Sequence, residues 1–206
     1  MAVDSNKIYV GAPDQLVTGA ILMGPVMTSV PATFEAALAA IEAFTGSGYV
    51  SDEGVSLSPE VSTAEIPEWG GSIVRKVVQS FSGTMTWNWI QQGPDEWRAA
   101  IGDEHVEVSE ATADHGTQLH IHLGAHLPDN GCFAFKIKDG ERRMLVIVPN
   151  GQVTSISEMT FSASEAVKVP VELSCYDDGT GDSVHIFTDD GLKLSVPATD
   201  PGAGDE

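Results

Sequence analysis

The stretch FSGTMTWNW, residues 81–89, alternates apolar and polar side chains with a period of two. Phe81, Met85, Trp87 and Trp89 fall on one side of the alternation, while Ser, Thr and Asn residues fall on the other. Successive side chains of a β-strand point to opposite faces of a sheet. The pattern therefore predicts a strand with one face in a core and the other toward solvent.

Strand-like segments extend over most of the chain on both sides of this stretch. Residues 55–58 alternate in the same way, and residues 73–79 are rich in β-branched side chains. Later segments lie at 106–108, 119–123, 133–137, 144–148, 153–161 and 167–175, separated by turn-forming Gly, Asn and Asp residues. Several short strands with regular turns predict a mainly β fold, an antiparallel β-sandwich or barrel-like pair of sheets.

Two helices are predicted beside these strands. Apolar residues at helical spacing predict a flanking helix over residues 32–44, with Thr33 as its N-cap and Gly46 as the glycine after its end. Gly93-Pro94, followed by two acidic residues, predicts a second, short helix that ends at Gly102. Two helices are too few for a doubly wound α/β fold.

The length of 206 residues fits one domain, with extensions at its ends. Residues 1–30 are predicted to be an extended N-terminal arm, and residues 31–196 the β domain. Within that domain the Pro- and Gly-containing segment 62–71 is predicted to be a long loop. Residues 197–206 are small, polar and acidic, which predicts a disordered tail. The longest aliphatic run, Met144–Val148, is too short to span a membrane, so no membrane partner is expected.

The charge of the chain is strongly negative, with 30 Asp and Glu residues against 10 Lys and Arg residues and a net charge of −20. Binding of a nucleic acid backbone needs clusters of Lys and Arg, so this chain is not expected to wrap nucleic acid. An acidic surface is instead one past which DNA slides without sticking.

Histidines are concentrated between residues 115 and 126. His120 and His122 are two positions apart on a predicted strand, so both imidazoles lie on one face. The pair is similar to the cupin metal motif, although His126 stands where a Glu should follow and no Glu lies near. Two interpretations stay open: a small cupin-like metalloprotein that uses His120, His122 and His126, or histidines at solvent or at an interface. We predict the second, and therefore no metal and no cofactor.

No combination of residues predicts a catalytic site. Acidic residues adjacent in sequence point apart on a strand, and no serine lies in a nucleophile elbow. Cys132 and Cys175 each lie in a strand-like segment and are predicted to be buried hydrophobic residues. We therefore predict that the protein is not an enzyme.

The segment from Phe34 to Gln91 resembles the major tail proteins of long non-contractile tailed phages, especially those that infect actinobacteria. The matching pieces are EAALAAIEAF, then GYVSDEGVSLSPEVSTAEIPEWGG, and then SIVRKVVQSFSGTMTWNWIQ. The remainder is similar to that family in the order and length of its elements, so that the resemblance covers roughly residues 8–190.

The resemblance implies a tail-tube fold and a structural function. Members of that family assemble into stacked hexameric rings, and the resulting tube conducts double-stranded DNA during ejection. The implied partners are other copies of the chain, a tape-measure protein, tail tip and tail terminator proteins, and DNA in the lumen. The implied location is the virion tail, assembled in the host cytoplasm. The alternative is another β-rich virion protein, such as a tail terminator, a head–tail connector or a capsid decoration protein.

Two sets of residues are candidates for this function. Ile66, Pro67 and Trp69 place apolar anchors on a polar segment, which is typical of a subunit interface. The alternative is that the segment folds back on its own domain and that Trp69 caps the core. The predicted lumen-facing acidic residues are Glu60, Glu65 and Glu68.

Overall fold

The computed structural model describes residues 8–14, 19 and 21–193. This part of the chain is mainly β and antiparallel, with two α-helices, as the sequence predicts. The strands are β1 (Ile21–Pro25), β2 (Thr45–Gly46), β3 (Val50–Pro67), β4 (Ile73–Trp89), β5 (Val106–Ser109), β6 (Gln118–Ile121), β7 (Gly131–Asp139), β8 (Arg142–Ile156), β9 (Val169–Tyr176) and β10 (His185–Asp189). The helices are α1 (Phe34–Ala40) and α2 (Pro94–Ile101).

One large sheet contains eight of the strands, in the order β2-β1-β7-β8-β9-β4-β3, with β10 beside β8. The long strand β8 belongs to both halves of this sheet. Its first half lies between β7 and β10, where Met144 pairs with both Ile137 and Thr188. Its second half pairs with β9, where Gln152 is opposite Ser174. The remaining strands, β5 and β6, form a separate hairpin.

The large sheet curls so that distant strands face each other across the core. Trp87 of β4 contacts Phe133 and Phe135 of β7, with ring centroids 6.2 and 5.6 Å apart, although β8 and β9 lie between β4 and β7 in the sheet. Trp87 also meets the ring of Trp89 edge to face at 5.3 Å. These buried aromatic residues close the sheet around one apolar core, which gives the predicted sandwich or barrel-like architecture.

Helix α1 covers the other face of β7 and β8. Its buried residue Ala37 and the following Ile41 pack against Cys132, Leu145 and other residues of these strands. The predicted N-cap is confirmed, because the Thr33 side chain accepts a hydrogen bond of 3.4 Å from the amide of Ala36. The helix is shorter than predicted, because it begins at Phe34 and ends at Ala40, with Ile41 as its C-cap. Residues 45–46 are extended in β2.

Gly46 is therefore not the glycine that follows the helix, as the sequence predicts, but a strand residue that pairs with Leu22 of β1. The second helix is confirmed: α2 begins at Pro94, and Gly102 ends it with a φ of +96°. A positive φ favours glycine, so the sequence marks this end of the helix clearly.

The predicted long loop at 62–71 is wrong. Residues up to Pro67 continue β3, and the chain reverses in a short turn over residues 68–72 before β4 begins. In that turn the amide of Glu68 donates to the carbonyl of Ser72 at 2.8 Å, and Gly71 has a φ of +89°. This part of β3 has polar residues on both faces, so it lacks the alternation of apolar and polar side chains that predicts a strand.

Part of the predicted N-terminal arm joins the sheet. Residues 21–25 are β1, which pairs with both β2 and β7, and Pro13 forms an isolated bridge with Ile137. The predicted tail at 197–206 lies outside the described residues.

Candidate assembly surface

The hairpin of β3 and β4 extends beyond the sheet to which it belongs. Strand β9 pairs with β4 only from Gly83 to Trp89. Past this point, residues 60–67 of β3 and 73–82 of β4 pair with each other and with no other strand of the described chain. We call residues 60–82 the ribbon. At about 3.4 Å per residue, its strand residues 60–67 extend roughly 25 Å.

Both edges of the ribbon are unpaired among the described residues, because β3 is also the last strand of the sheet. An edge strand presents a row of free N–H and C=O groups, which are able to pair with a strand of another chain. Isolated two-stranded ribbons are marginally stable in water. The ribbon is therefore the part of the fold that gains most from a partner.

The ribbon is unusually apolar for an exposed segment. Trp69 in its turn is fully exposed, and Val78 exposes 66% of its surface. Apolar exposure of this extent, concentrated on one projecting element, marks an interaction surface rather than scattered surface residues. The exposed large hydrophobic residues of the ribbon are Val61, Ile66, Trp69, Ile73, Val74, Val77, Val78 and Phe81.

The two faces of the ribbon differ in chemistry near the body. Leu57 is opposite Met85 in the core. Four residues farther along β3, on the same face, Val61 is opposite Phe81. We call this continuation of the core face, with Val78 beyond it, the apolar face. Near the body, the opposite face, which we call the Ser/Thr face, consists of Ser56, Ser58, Glu60, Ser62, Ser80, Ser82, Thr84 and Thr86. Toward the turn, the same face continues with Ala64, Ile66, Arg75 and Val77.

The predicted interface residues lie at the far end of the ribbon. Ile66 is 46% exposed on β3, Pro67 ends that strand, and Trp69 lies in the turn. The alternative in which Trp69 caps its own core is wrong, because the side chain is fully exposed. The role of these three residues in an interface stays a prediction.

The predicted lumen-facing acidic residues do not form one surface. Glu60 and Glu65 are five residues apart on β3, so they point to opposite faces of the ribbon. Glu60 belongs to the Ser/Thr face, whereas Glu65 forms an ion pair of 2.9 Å with Lys76 on the other face. Glu68 lies in the turn.

The histidines form a different group from the predicted one. His120 and His122 lie together with Glu107 of β5, and the ring of His126 instead stacks on His105 at 3.6 Å. Sequence reasoning missed Glu107, although a signal was present. Glu107 lies between Val106 and Val108, just as His120 lies between two apolar residues, so both belong to the polar face of a short hairpin.

Both cysteines are buried, as the sequence predicts. Burial raises the pKa of the Cys132 thiol to about 12 and that of the Cys175 thiol to about 11. A thiolate is the reactive form of cysteine, so neither group is a ready nucleophile near neutral pH. No helix of the described residues is long and apolar enough to cross a membrane.

A curled antiparallel sheet with a projecting ribbon, whose edges are unpaired among the described residues, defines a β-rich protein with strand edges open to pairing. A comparison with known protein families identifies the family of this chain. The family described as phage tail tube protein matches residues 1–198, and the chain belongs to this family. It is therefore a structural component of a phage tail.

The other comparisons add little to this assignment. No curated protein matches the chain. Among solved structures, the chain is similar to the tube-terminating cap of the anti-feeding prophage, with 16% sequence identity and a TM-score of 0.44. That similarity covers 92% of this chain and 100% of the cap chain.

Proposed function

We propose that the chain is the repeating subunit of the tail tube, and that it assembles into hexameric rings which stack into a hollow conduit for double-stranded DNA. The protein is a structural subunit and not an enzyme. Its partners are other copies of itself, the tape-measure protein, and the tail tip and tail terminator proteins. Assembly takes place in the host cytoplasm. Membership of the tail tube family supports this proposal.

The observation that carries the proposal is the ribbon with two unpaired edges. A ring forms when one surface of a subunit contacts a different surface of the next and the rotation closes. The free edge of β3 and the free edge of β4 are two such different surfaces on one element. Pairing between them would join the ribbons of neighbouring subunits into a continuous wall.

The Ser/Thr face is the side of the ribbon that we assign to the lumen. Near the body the apolar face requires cover, and the opposite face is the one suited to water and to passing DNA. Near the body, the small hydroxyl side chains and Glu60 of this face offer phosphates no cation, and the net charge of −20 per chain adds repulsion. Toward the turn, Arg75 lies on the same face, opposite Ile66. Glu65 then lies on the covered face with Lys76, and Glu68 at the end of the ribbon.

Ile66, Pro67 and Trp69 are assigned to contacts with neighbouring subunits. The ribbon projects roughly 25 Å, so its turn reaches beyond the subunit's own sheet. Large aromatic residues are enriched at the centres of interfaces, and Trp69 has no cover in the described chain.

Negative-stain electron microscopy of the purified chain, concentrated and held for days, tests the proposal. We expect hollow tubes with a regular axial repeat and six-fold end views. A Val78→Lys variant should not form tubes, because it places a charge on the apolar face. The matched control is Leu192→Lys, because Leu192 is 64% exposed, close to the 66% of Val78, but lies outside the ribbon.

The outcomes separate the alternatives. Closed rings that never stack would favour a tail terminator or a head–tail connector and would contradict a tube subunit. A chain that remains monomeric is then tested on isolated tail tips, which supply a nucleus for assembly. Failure to extend these tips would also contradict the proposal.

A further inference from the structure

The two faces of the β5–β6 hairpin carry different side chains, apolar on one face and Glu or His on the other. In its ladder Val106 is opposite Ile121, and Glu107 is opposite His120. The amide of His122 donates to the carbonyl of His105 at 3.0 Å, which extends the ladder by one pair. Val106 and Ile121 contribute to the core, so the alternate positions Glu107, His120 and His122 share the outward face.

The distances among these three side chains lie at the long end of the hydrogen-bond range and are close to those between the ligands of one ion. The two oxygens of Glu107 lie 3.4 Å from Nδ1 of His120 and 3.5 Å from Nε2 of His122. A good N–H···O hydrogen bond is about 2.7–3.2 Å long. Two ligand atoms at about 2.1 Å from a tetrahedral Zn²⁺ are about 3.4 Å apart. One ligand atom from each of the three residues can be chosen so that all lie within 4.8 Å of one another.

In contrast to the sequence-based prediction of no metal, we propose that Glu107, His120 and His122 form a binding site for a divalent transition metal ion of the Zn²⁺ type. Two imidazoles and one carboxylate are ligands that suit Zn²⁺, Cu²⁺ and Ni²⁺. The ladder fixes the backbone of all three residues before an ion arrives, so little chain entropy is lost on binding. The acidic chain also attracts cations.

The site has an open side. All three residues are exposed, and three protein ligands leave the fourth tetrahedral position to water or to a group from another molecule. His105 and His126 lie near the three site residues in the sequence. Their rings stack on each other, with the ring planes 18° apart. They form a separate pair, which the test must distinguish from the proposed site.

Calorimetric titration with Zn²⁺ alone tests the proposal on the full, untagged chain, freed of metal by a chelator and then dialysed. The expected result is binding of one ion per chain. Loss of a partner that only orients a ligand costs about 10–100-fold in affinity, so His120→Asn, His122→Asn and Glu107→Gln should each weaken binding at least about tenfold. His115→Asn removes an exposed histidine outside the site and should leave the affinity unchanged. Circular dichroism would confirm that each variant is folded.

Three results would overturn the site. The first is the absence of one-to-one binding to the unmodified chain. The second is equal affinity of the three ligand variants and the unmodified chain. The third is loss of binding in His105→Asn with His120→Asn unaffected, which would place the ion at the stacked pair. The absorption spectrum of the Co²⁺ form gives a second readout, because a tetrahedral and an octahedral ion differ in their visible bands.

Discussion

Trp89 is fully buried, and its indole Nε1 donates a hydrogen bond of 3.1 Å to Oγ of Ser47, which is buried as well. Replacing Ser47 by Ala leaves a buried N–H group without an acceptor. Such a group costs about 1–3 kcal/mol, so we expect Ser47→Ala to lower the free energy of unfolding by that amount. Urea denaturation followed by tryptophan fluorescence measures the change.

Ser51 supplies the matched control for this prediction. It is buried too, but its Oγ has no hydrogen-bond partner in the described part of the chain. Removing a buried hydroxyl that is already unpaired gives up no hydrogen bond and relieves a desolvation cost. Ser51→Ala should therefore be neutral or stabilising. An equal loss of stability in both variants would show that packing, and not the hydrogen bond to Trp89, determines the cost.

Single residues also show which parts of the assembly surface and the metal site are visible in the sequence. His120 and His122 stand out because a period of two puts them on one face. Glu107 completes their site from another strand, and no local pattern gives the register between β5 and β6. Glu60 and Glu65 appear equivalent as acidic residues, yet their odd separation places them on opposite faces once the segment is known to be a strand.

The sequence predicts some elements better than others. An element is predictable when its environment in the fold imposes a local pattern of apolar and polar residues or of helix-capping residues. Residues 81–89 alternate because one face is in the core, and α2 begins at a proline and ends at a glycine, so all of these are predictable. The outer part of β3 is exposed on both faces, so burial imposes no pattern on it. This segment is a strand only because it pairs with β4, and the residues of the segment itself do not indicate that pairing.

The connection between β9 and β10 depends on one carboxylate. Asp178 accepts hydrogen bonds from Oγ1 and the amide of Thr180 at 2.6 and 2.8 Å, and its Oδ2 lies 3.1 Å from Nε2 of His185, the first residue of β10. The bonds from Thr180, and then His185, lower the pKa of Asp178 from 3.8 to about 2. The ionised carboxylate thus holds the loop against the strand that it precedes.

The lowered pKa gives this element a defined dependence of stability on pH. A group with a depressed pKa in the folded state contributes stability above its unfolded value, here 3.8, and loses it as the pH falls through about 2. Asp178→Asn should therefore be less stable than the unmodified chain at pH 7, and the difference should shrink as the pH falls toward 2. Urea denaturation across this pH range measures it. A difference that does not change with pH would contradict the assignment.

At the scale of the whole molecule, the fold combines a closed core with an open extension. The aromatic contacts between β4 and β7 close the sheet and leave the core independent of any partner. The ribbon continues the same two strands into solvent, with apolar side chains and free edges that an isolated monomer does not need. This division suits the proposed function, in which each subunit folds first and then joins other chains.

This division predicts that folding and assembly can be separated by shortening the ribbon. Glu60 and Ser82 are directly opposite each other, so an Asn-Gly turn in place of residues 61–81 closes the hairpin with the two-residue loop that antiparallel strands prefer. The core strand residues 83–89 and their pairing with β9 remain. We expect a cooperatively folded protein with a Tm within about 5 °C of the unmodified chain. We also expect no tubes by negative-stain electron microscopy under conditions in which the unmodified chain forms them. Tubes formed by the shortened chain would show that the body alone carries the ring contacts, whereas loss of cooperative unfolding would show that the ribbon belongs to the fold.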